Sequence, residues 1–285
     1  MKMYLECLAC VMNQALRAGR IATDDKEKIR ELLNDTGKMI SEIPMEASPP
    51  EIGELVYRKI NRIVENNDPY KDLKKRNIER ALNLYPEFKQ LVNQSGNPLL
   101  AAVKLAVAGN IIDFGVNKAF DIERDVRDIL EQEFAIFDFE QFAARLNRAD
   151  EILYIGDNAG EGVFDRILIE EMDKPVKFAV RSIPIINDIT MDETSIIGLD
   201  SIAEIIDSGV KSPGLILKNA PADFRELFTN ADMIISKGQG NYEGLSDETG
   251  NIFFLLKAKC HVIARDIGVN EGDIIIKSGL PAAEK

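Results

Sequence analysis

The order of apolar and polar positions divides the chain near residue 150. Before that point apolar residues recur at helical spacing: Ile29, Leu32, Leu33, Met39 and Ile40 within residues 24–43, then Ile52, Leu55, Val56, Ile60 and Ile63. Gly37 is a weak point in the first stripe. Ser48, Pro49, Pro50 and Glu51 form a start signal for the second, because the serine oxygen can accept an unpaired amide and Glu51 occupies the third helical position. Asp68 followed by Pro69 is a further cap, predicting one or two helices through Gln94 with a break near Pro86. Residues 99–108 are apolar nearly all round, which places that helix in an interior, ending at Gly109. Over residues 121–134, Ile122, Val126, Ile129, Leu130 and Phe134 face one way and an acidic surface the other.

After residue 150 the period shortens. Apolar β-rich runs lie at 152–155, 176–180, 233–236, 253–256, 262–264 and 274–277, with helical spacers at 162–172, 201–207 and 221–229. Such alternation predicts a sheet covered on both faces and parallel at its centre. The expected fold is therefore α/β: a three-layer α/β/α sandwich with a largely parallel central sheet and a helical N-terminal domain. The expected division is 1–95 for the helical domain and 96–285 for the sandwich, whose entry stays helical to about residue 150.

Composition narrows the partners. The 285 residues carry 35 Lys and Arg against 48 Asp and Glu, a formal charge of −13, with 45% hydrophobic and 29% charged residues. These are the proportions of a soluble globular protein, and the acidity argues against nucleic acid, whose binders present basic surfaces to the phosphates. A small phosphorylated ligand is compatible, since a lysine or a divalent cation can supply local positive charge inside a negative envelope. The N-terminal residues are interrupted by Lys2 and Glu6, and the most apolar stretch, 98–116, contains Lys104, Asn110 and Asp113, so no membrane span is expected. Three cysteines cannot build a disulfide framework, and a reducing, cytoplasmic location is the expectation.

Candidate chemistry lies at strand ends. Gly156, Asp157, Asn158, Ala159, Gly160, Glu161 and Gly162 directly follow the 152–155 run, where open α/β sheets bind ligands. Asp157 offers a hard oxygen to a divalent cation and Asn158 a neutral one; a turn stabilised by Asx hydrogen bonds reads the segment equally well. The glycine spacing does not match GxGxxG, and no GxxxxGK[ST] sequence is present. After the next strand, the segment from Arg181 to Thr190 contains Asn187 and Asp188; paired with Asp157, Asp188 could complete an oxygen-ligand site suited to Mg²⁺ or Mn²⁺. After residues 233–236, Lys237 would present a mobile positive charge within Lys237-Gly238-Gln239-Gly240-Asn241, unless it is a surface lysine on an ordinary turn. Asn110 and Asp113 border the apolar helix and either line a pocket or cap that helix. The CxxC of Cys7 and Cys10, with Cys260 and His261 far along the chain, leaves structural zinc, a redox pair and buried thiols open.

Taken together, Cys7-Leu8-Ala9-Cys10, Gly109 to Asp113, Gly156 to Glu161, Asn187-Asp188 and Ser236 to Glu243 resemble the DUF89, or damage-control phosphatase, family in its smaller archaeal and bacterial branch. The resemblance implies a metal-dependent phosphatase of small phosphorylated metabolites such as sugar phosphates or damaged phosphate esters, on an α/β/α sandwich with a helical N-terminal region. By motif it implies Asp157, Asn158 and Asp188 as metal ligands and Lys237 as the phosphate contact. Asn110, Asp113, Glu161, Arg181 and Asn241 would line the substrate. The cofactor expected is a divalent metal, Mg or Mn by site chemistry, with Ni or Co as further options. Alternatives are a phosphometabolite-binding protein without turnover, an enzyme using a nucleoside cofactor, and a carboxyl methyltransferase.

Overall fold

The computed structural model describes residues 1–109 and 131–279. Five helices come first: α1 (Leu5–Ala22), α2 (Lys26–Ile40), α3 (Pro49–Val64), α4 (Lys71–Gln94) and α5 (Pro98–Ala108). The start signal at Ser48 works as expected, with a capping box between Ser48 and Glu51 whose amide-to-carboxylate bond is 2.7 Å. Asp68 does not cap α4, which begins after Tyr70, and α4 runs unbroken through Pro86 to Gln94. Tertiary packing overrides the proline there, since Ile78, Ala81, Phe88 and Val92 all lie in the core. Gly37 likewise does not interrupt α2.

The second part alternates: β1 (Phe134–Phe137), α6 (Phe139–Arg148), β2 (Ile152–Ile155), α7 (Gly162–Met172), β3 (Val176–Val180), α8 (Met191–Ile197), β4 (Glu204–Asp207), α9 (Ala222–Asn230), β5 (Met233–Lys237), α10 (Gly238–Leu245), β6 (Ile252–Lys257), α11 (His261–Ile267) and β7 (Ile274–Ser278). Three expectations are corrected. Residues 204–207 are a strand rather than the end of a helix, Phe134 begins a strand, and residues 262–264 lie in α11. The part of the helix expected over 121–134 that precedes residue 131 lies outside the described residues.

Among the described residues the sheet has seven strands in the order β1-β7-β6-β5-β2-β3-β4. From β6 to β4 all neighbours are parallel; β7 runs antiparallel to β6, and β1 runs parallel to β7. Strand alternation divides the interior. Ile152, Tyr154, Phe178, Ile235 and Phe253 face α4, α5 and α7 in one core, whereas Leu153, Ile155, Ile234 and Phe254 face α9, α10 and α11 in another. Helices α1 to α3 close a third core around Leu32, Val56, Tyr57 and Ile60. The chain steps from β2 outward through β3 to β4, then returns to the other side of β2 as β5. The switch point therefore lies between β2 and β5, and the carboxyl ends of all five parallel strands open on one edge. No helix among the described residues is long and apolar enough to cross a membrane.

Candidate active site

The loop after β2 and the loop after β3 meet at the switch-point edge through a local antiparallel bridge between Asn158 and Asp188. Ala159 donates its amide to the Asn187 carbonyl at 2.8 Å, and Ile189 donates to the Asp157 carbonyl at 2.9 Å. Asp157, Asn158 and Asp188 are thus brought together by backbone pairing, although 31 positions separate the outer two. Reaching this register requires a turn in which Ile186 takes φ +47, rare for a β-branched residue.

Each acid has a defined seat. The Asp157 carboxylate rests on Gly238, where β5 turns into α10 with φ +77; a Cβ at that position would overlap the carboxylate. Asp188 accepts from Arg181 Nε at 2.9 Å. Arg181, only 1% exposed, also donates through Nη2 to Asn241 Oδ1 at 2.7 Å. Asn241 in turn donates to the carbonyls of Gly156 (3.0 Å) and Lys237 (2.7 Å), so one carboxamide joins the ends of β2 and β5 to the Arg181 guanidinium. Asn158 turns its amide nitrogen to Glu161 and, at 3.3 Å, to Asp157.

Lys237 is placed differently from the mobile phosphate clamp expected of it. It is 1% exposed, and its ammonium pairs with Asp165 and lies 3.7 Å from Glu161, beneath Asp157. Tyr154 donates to the same Asp165 oxygen at 2.7 Å. Burial pushes the Asp165 carboxyl up against the opposing pull of Lys237; burial acts to lower Lys237, but the charges of Asp165 and Glu161 outweigh it and hold the ammonium in its charged form. Asn110 and Asp113 lie outside the described residues.

Above this floor is a cavity of about 810 Å³, walled on the sheet side by Asp157, Asn158, Asp188 and Gly240 and on the helical side by Arg17, Tyr57, Tyr70 and Asn77. Glu161, Arg181, Lys237 and Asn241 stand behind the wall rather than on it. The sequence reading missed Lys259, an exposed residue two positions beyond β6 on the same strand-end edge. Its charge is felt by Glu161 and Asp188, and its ammonium makes no ion pair among the described residues. Arg17 was also missed, because nothing in α1 marks which of its polar residues faces a cavity. The signal available for Lys259 was the one applied to Lys237: a lysine just past an apolar parallel strand.

The acids are crowded. Burial, reinforced by the charge of Asp157, pushes Glu161 up to about 8; burial also pushes Asp188 up to about 7, with Arg181 opposing and Asp157 adding to the rise. Buried Oε2 of Glu161 and Oδ2 of Asp165 have no hydrogen-bond partner among the described residues. Among those residues, no three His, Cys, Asp or Glu side chains are grouped to hold a metal, so the candidate set consists of two carboxylates and one carboxamide. A hard divalent cation fits it: the donors are oxygens, and added positive charge relieves repulsion that burial leaves unscreened.

Comparisons with known proteins bear on the family and the fold. A family model described as the damage-control phosphatase ARMT1-like domain matches residues 3–275. A damage-control phosphatase of Pyrococcus horikoshii is 36% identical over 282 residues, spanning 96% of this chain and 97% of that protein. A damage-control phosphatase of Archaeoglobus fulgidus is 32% identical over 290 residues, spanning 97% and 99%. The crystal structure of a DUF89 family protein from P. horikoshii matches with a TM-score of 0.91 at 35% identity, over 98% of this chain and 99% of that one.

Proposed function

This chain belongs to the damage-control phosphatase ARMT1-like family, and from that premise we propose that it is a divalent-metal-dependent phosphatase acting on small phosphorylated metabolites. The observation that carries the proposal is the convergence of Asp157, Asn158 and Asp188 at the switch point of the sheet, on the wall of a cavity sized for a small molecule. The two carboxylates and the Asn158 carboxamide oxygen would hold the cation, a donor set suited to Mg²⁺ or Mn²⁺ and also open to Ni²⁺ or Co²⁺. When bound, such an ion supplies Lewis-acid polarisation of a phosphoryl oxygen and a more acidic water.

The chain's own residues position the rest. Arg181 engages one oxygen of Asp188 and leaves the other for the ion, while Asn241 locks Arg181 in place. Their role, in this reading, is to orient the ligands from behind. Lys237 offsets the charge of the acid cluster from below, through its pair with Asp165 and its 3.7 Å approach to Glu161. Lys259 and Arg17, exposed on the cavity wall, neutralise the remaining phosphate charge. Tyr57 and Tyr70, packed edge to face on each other, give the cavity wall an aromatic part against which the organic part of the ester packs.

A phosphate-release screen crosses sugar phosphates and generic phosphomonoesters with Mg²⁺, Mn²⁺, Ni²⁺ and Co²⁺, with Asp157→Ala purified in parallel. Release by the wild type, stopped by a chelator and absent in the variant, is expected. Binding of phosphate esters without release under every metal would favour a sensing protein. Equal release by the variant would remove Asp157 from the site.

A further inference from the structure

Asn77 stands on the helical wall of the cavity. It follows Lys74 by three positions on α4, so the two share a face of that helix, and both are buried. Ile78, Ala81, Phe88 and Val92 of the same helix enter the core, and asparagine is a poor helix former at an interior position. Asn77 therefore sits where alanine or an apolar residue would serve the fold better. It is 9% exposed, and its Oδ1 is buried and accepts no hydrogen bond among the described residues. Lys74 does not supply one, because its ammonium pairs with Asp68 and Glu193. A buried acceptor without a donor destabilises the free protein, and the great majority of such groups have a partner in the working molecule.

We propose that Asn77 is a specificity-determining residue, whose Oδ1 accepts a hydrogen bond from a hydroxyl on the organic part of the phosphate ester. The inference rests on the phosphatase reading above and adds to it the group that selects among esters. An ionised phosphate carries only acceptors, so it offers Oδ1 nothing, and the donor has to come from the rest of the substrate. With the phosphate at Asp157 and Asp188 on the sheet side, the organic part extends toward the helical wall on which Asn77 stands. That wall is within electrostatic reach of the sheet side, since the charge of Asp188 is felt at Tyr57. The hydroxyls of Tyr57 and Tyr70 on the same wall can donate or accept and so discriminate little, whereas Oδ1 only accepts. A site built to bond a hydroxyl rejects the analogue lacking it, because its own acceptor is then left unpaired.

The test sets the best used of glycerol-3-phosphate, ribose-5-phosphate and glucose-6-phosphate against phenyl phosphate, whose ring carries no donor. Wild type, Asn77→Ala and Asn77→Asp are compared with saturating Mn²⁺, and the readout is the ratio of kcat/KM for the hydroxylated ester to that for phenyl phosphate. Asn77→Ala is expected to lower the ratio about tenfold or more, through the KM of the hydroxylated ester. Asn77→Asp keeps the acceptor, and its added charge acts on both esters alike, so it should hold the wild-type ratio. The metal-free Tm of Asn77→Ala should equal or exceed that of the wild type, because the change removes an unpaired acceptor and improves the helix. If the wild type releases phosphate from none of these esters, the phosphatase reading fails. Calorimetric binding of the same esters then carries the comparison, with the same drop in affinity ratio expected. A ratio unchanged in Asn77→Ala, a ratio lost in Asn77→Asp as well, a lowered Tm in Asn77→Ala, or no binding of any ester would overturn the proposal.

Discussion

Replacing Gly238 with alanine tests how closely the Asp157 carboxylate is located. The residue has φ +77, and its missing Cβ is the space the carboxylate occupies. An L residue in the left-handed region costs about 1–2 kcal/mol. Turning Asp157 away from the new methyl adds about 0.5–1.5 kcal/mol of off-rotamer strain. The sum, roughly 1.5–3.5 kcal/mol, corresponds to a Tm lowered by on the order of 2–6 °C in a chain of 285 residues, whose unfolding entropy is about 0.6 kcal/mol per degree. Gly268→Ala supplies the control, because Gly268 has φ +87 with no atom within 4 Å of the added Cβ. It carries the backbone cost without touching the site. Thermal unfolding of both metal-free variants, followed by Mn²⁺ titration, separates the two effects. Gly238→Ala should be the less stable and should bind Mn²⁺ about 10–100-fold more weakly, the range for losing a group that orients a ligand. Equal Mn²⁺ affinity in the two variants would refute the claim that Gly238 sets the position of Asp157.

Two further outcomes are expected. Asp188 at about 7, Glu161 at about 8 and Glu243 at about 7 retain protons in the native protein that carboxylates of the unfolded chain, with values of about 4, release. The native state then binds more protons than the unfolded state between about pH 5 and 8, so metal-free stability should fall as pH rises through that window. Saturating Mn²⁺ should flatten the fall, and urea unfolding at a series of pH values measures both; metal-free stability that rises with pH would contradict the assignment. Lys74, 1% exposed, bridges Asp68 at 2.9 Å and Glu193 at 2.6 Å, tying α4 to α8. Lys74→Met should cost about 3–5 kcal/mol in urea unfolding by leaving buried Glu193 without its cation, and a loss near zero would show the bridge to be dispensable.

The elements that carry the site were the legible ones. β2 and β5 are fully buried, so their apolar runs are unbroken and their ends could be located to within a residue. The edge strands gave a weaker pattern: β1 and β4 are half exposed, and Ile202, Ala203, Ile205 and Ile206 satisfy helical spacing as well as alternation. Val262 and Ile263 have strand propensity, yet they enter α11 because that helix buries them against the sheet and Gly268 ends it at positive φ. Within the site, the residue types at Asp157, Asn158 and Asp188 were readable, but their meeting depends on the Asn158–Asp188 bridge, a pairing between two loops that no local pattern encodes. Lys237 illustrates the same limit from the other side. Its position at the end of β5 was legible, whereas its buried partner Asp165 sits in the first turn of α7 and reaches it only through packing of that helix on the sheet.

The central claim is that one divalent cation is held jointly by the loops after β2 and β3. Calorimetric titration of Mn²⁺ into metal-free wild type, Asp157→Asn and Asp188→Asn measures this directly, since each substitution keeps the side-chain size and removes one charge. The account predicts binding by the wild type and severe loss of affinity in both variants. Wild-type affinity in either one would contradict it.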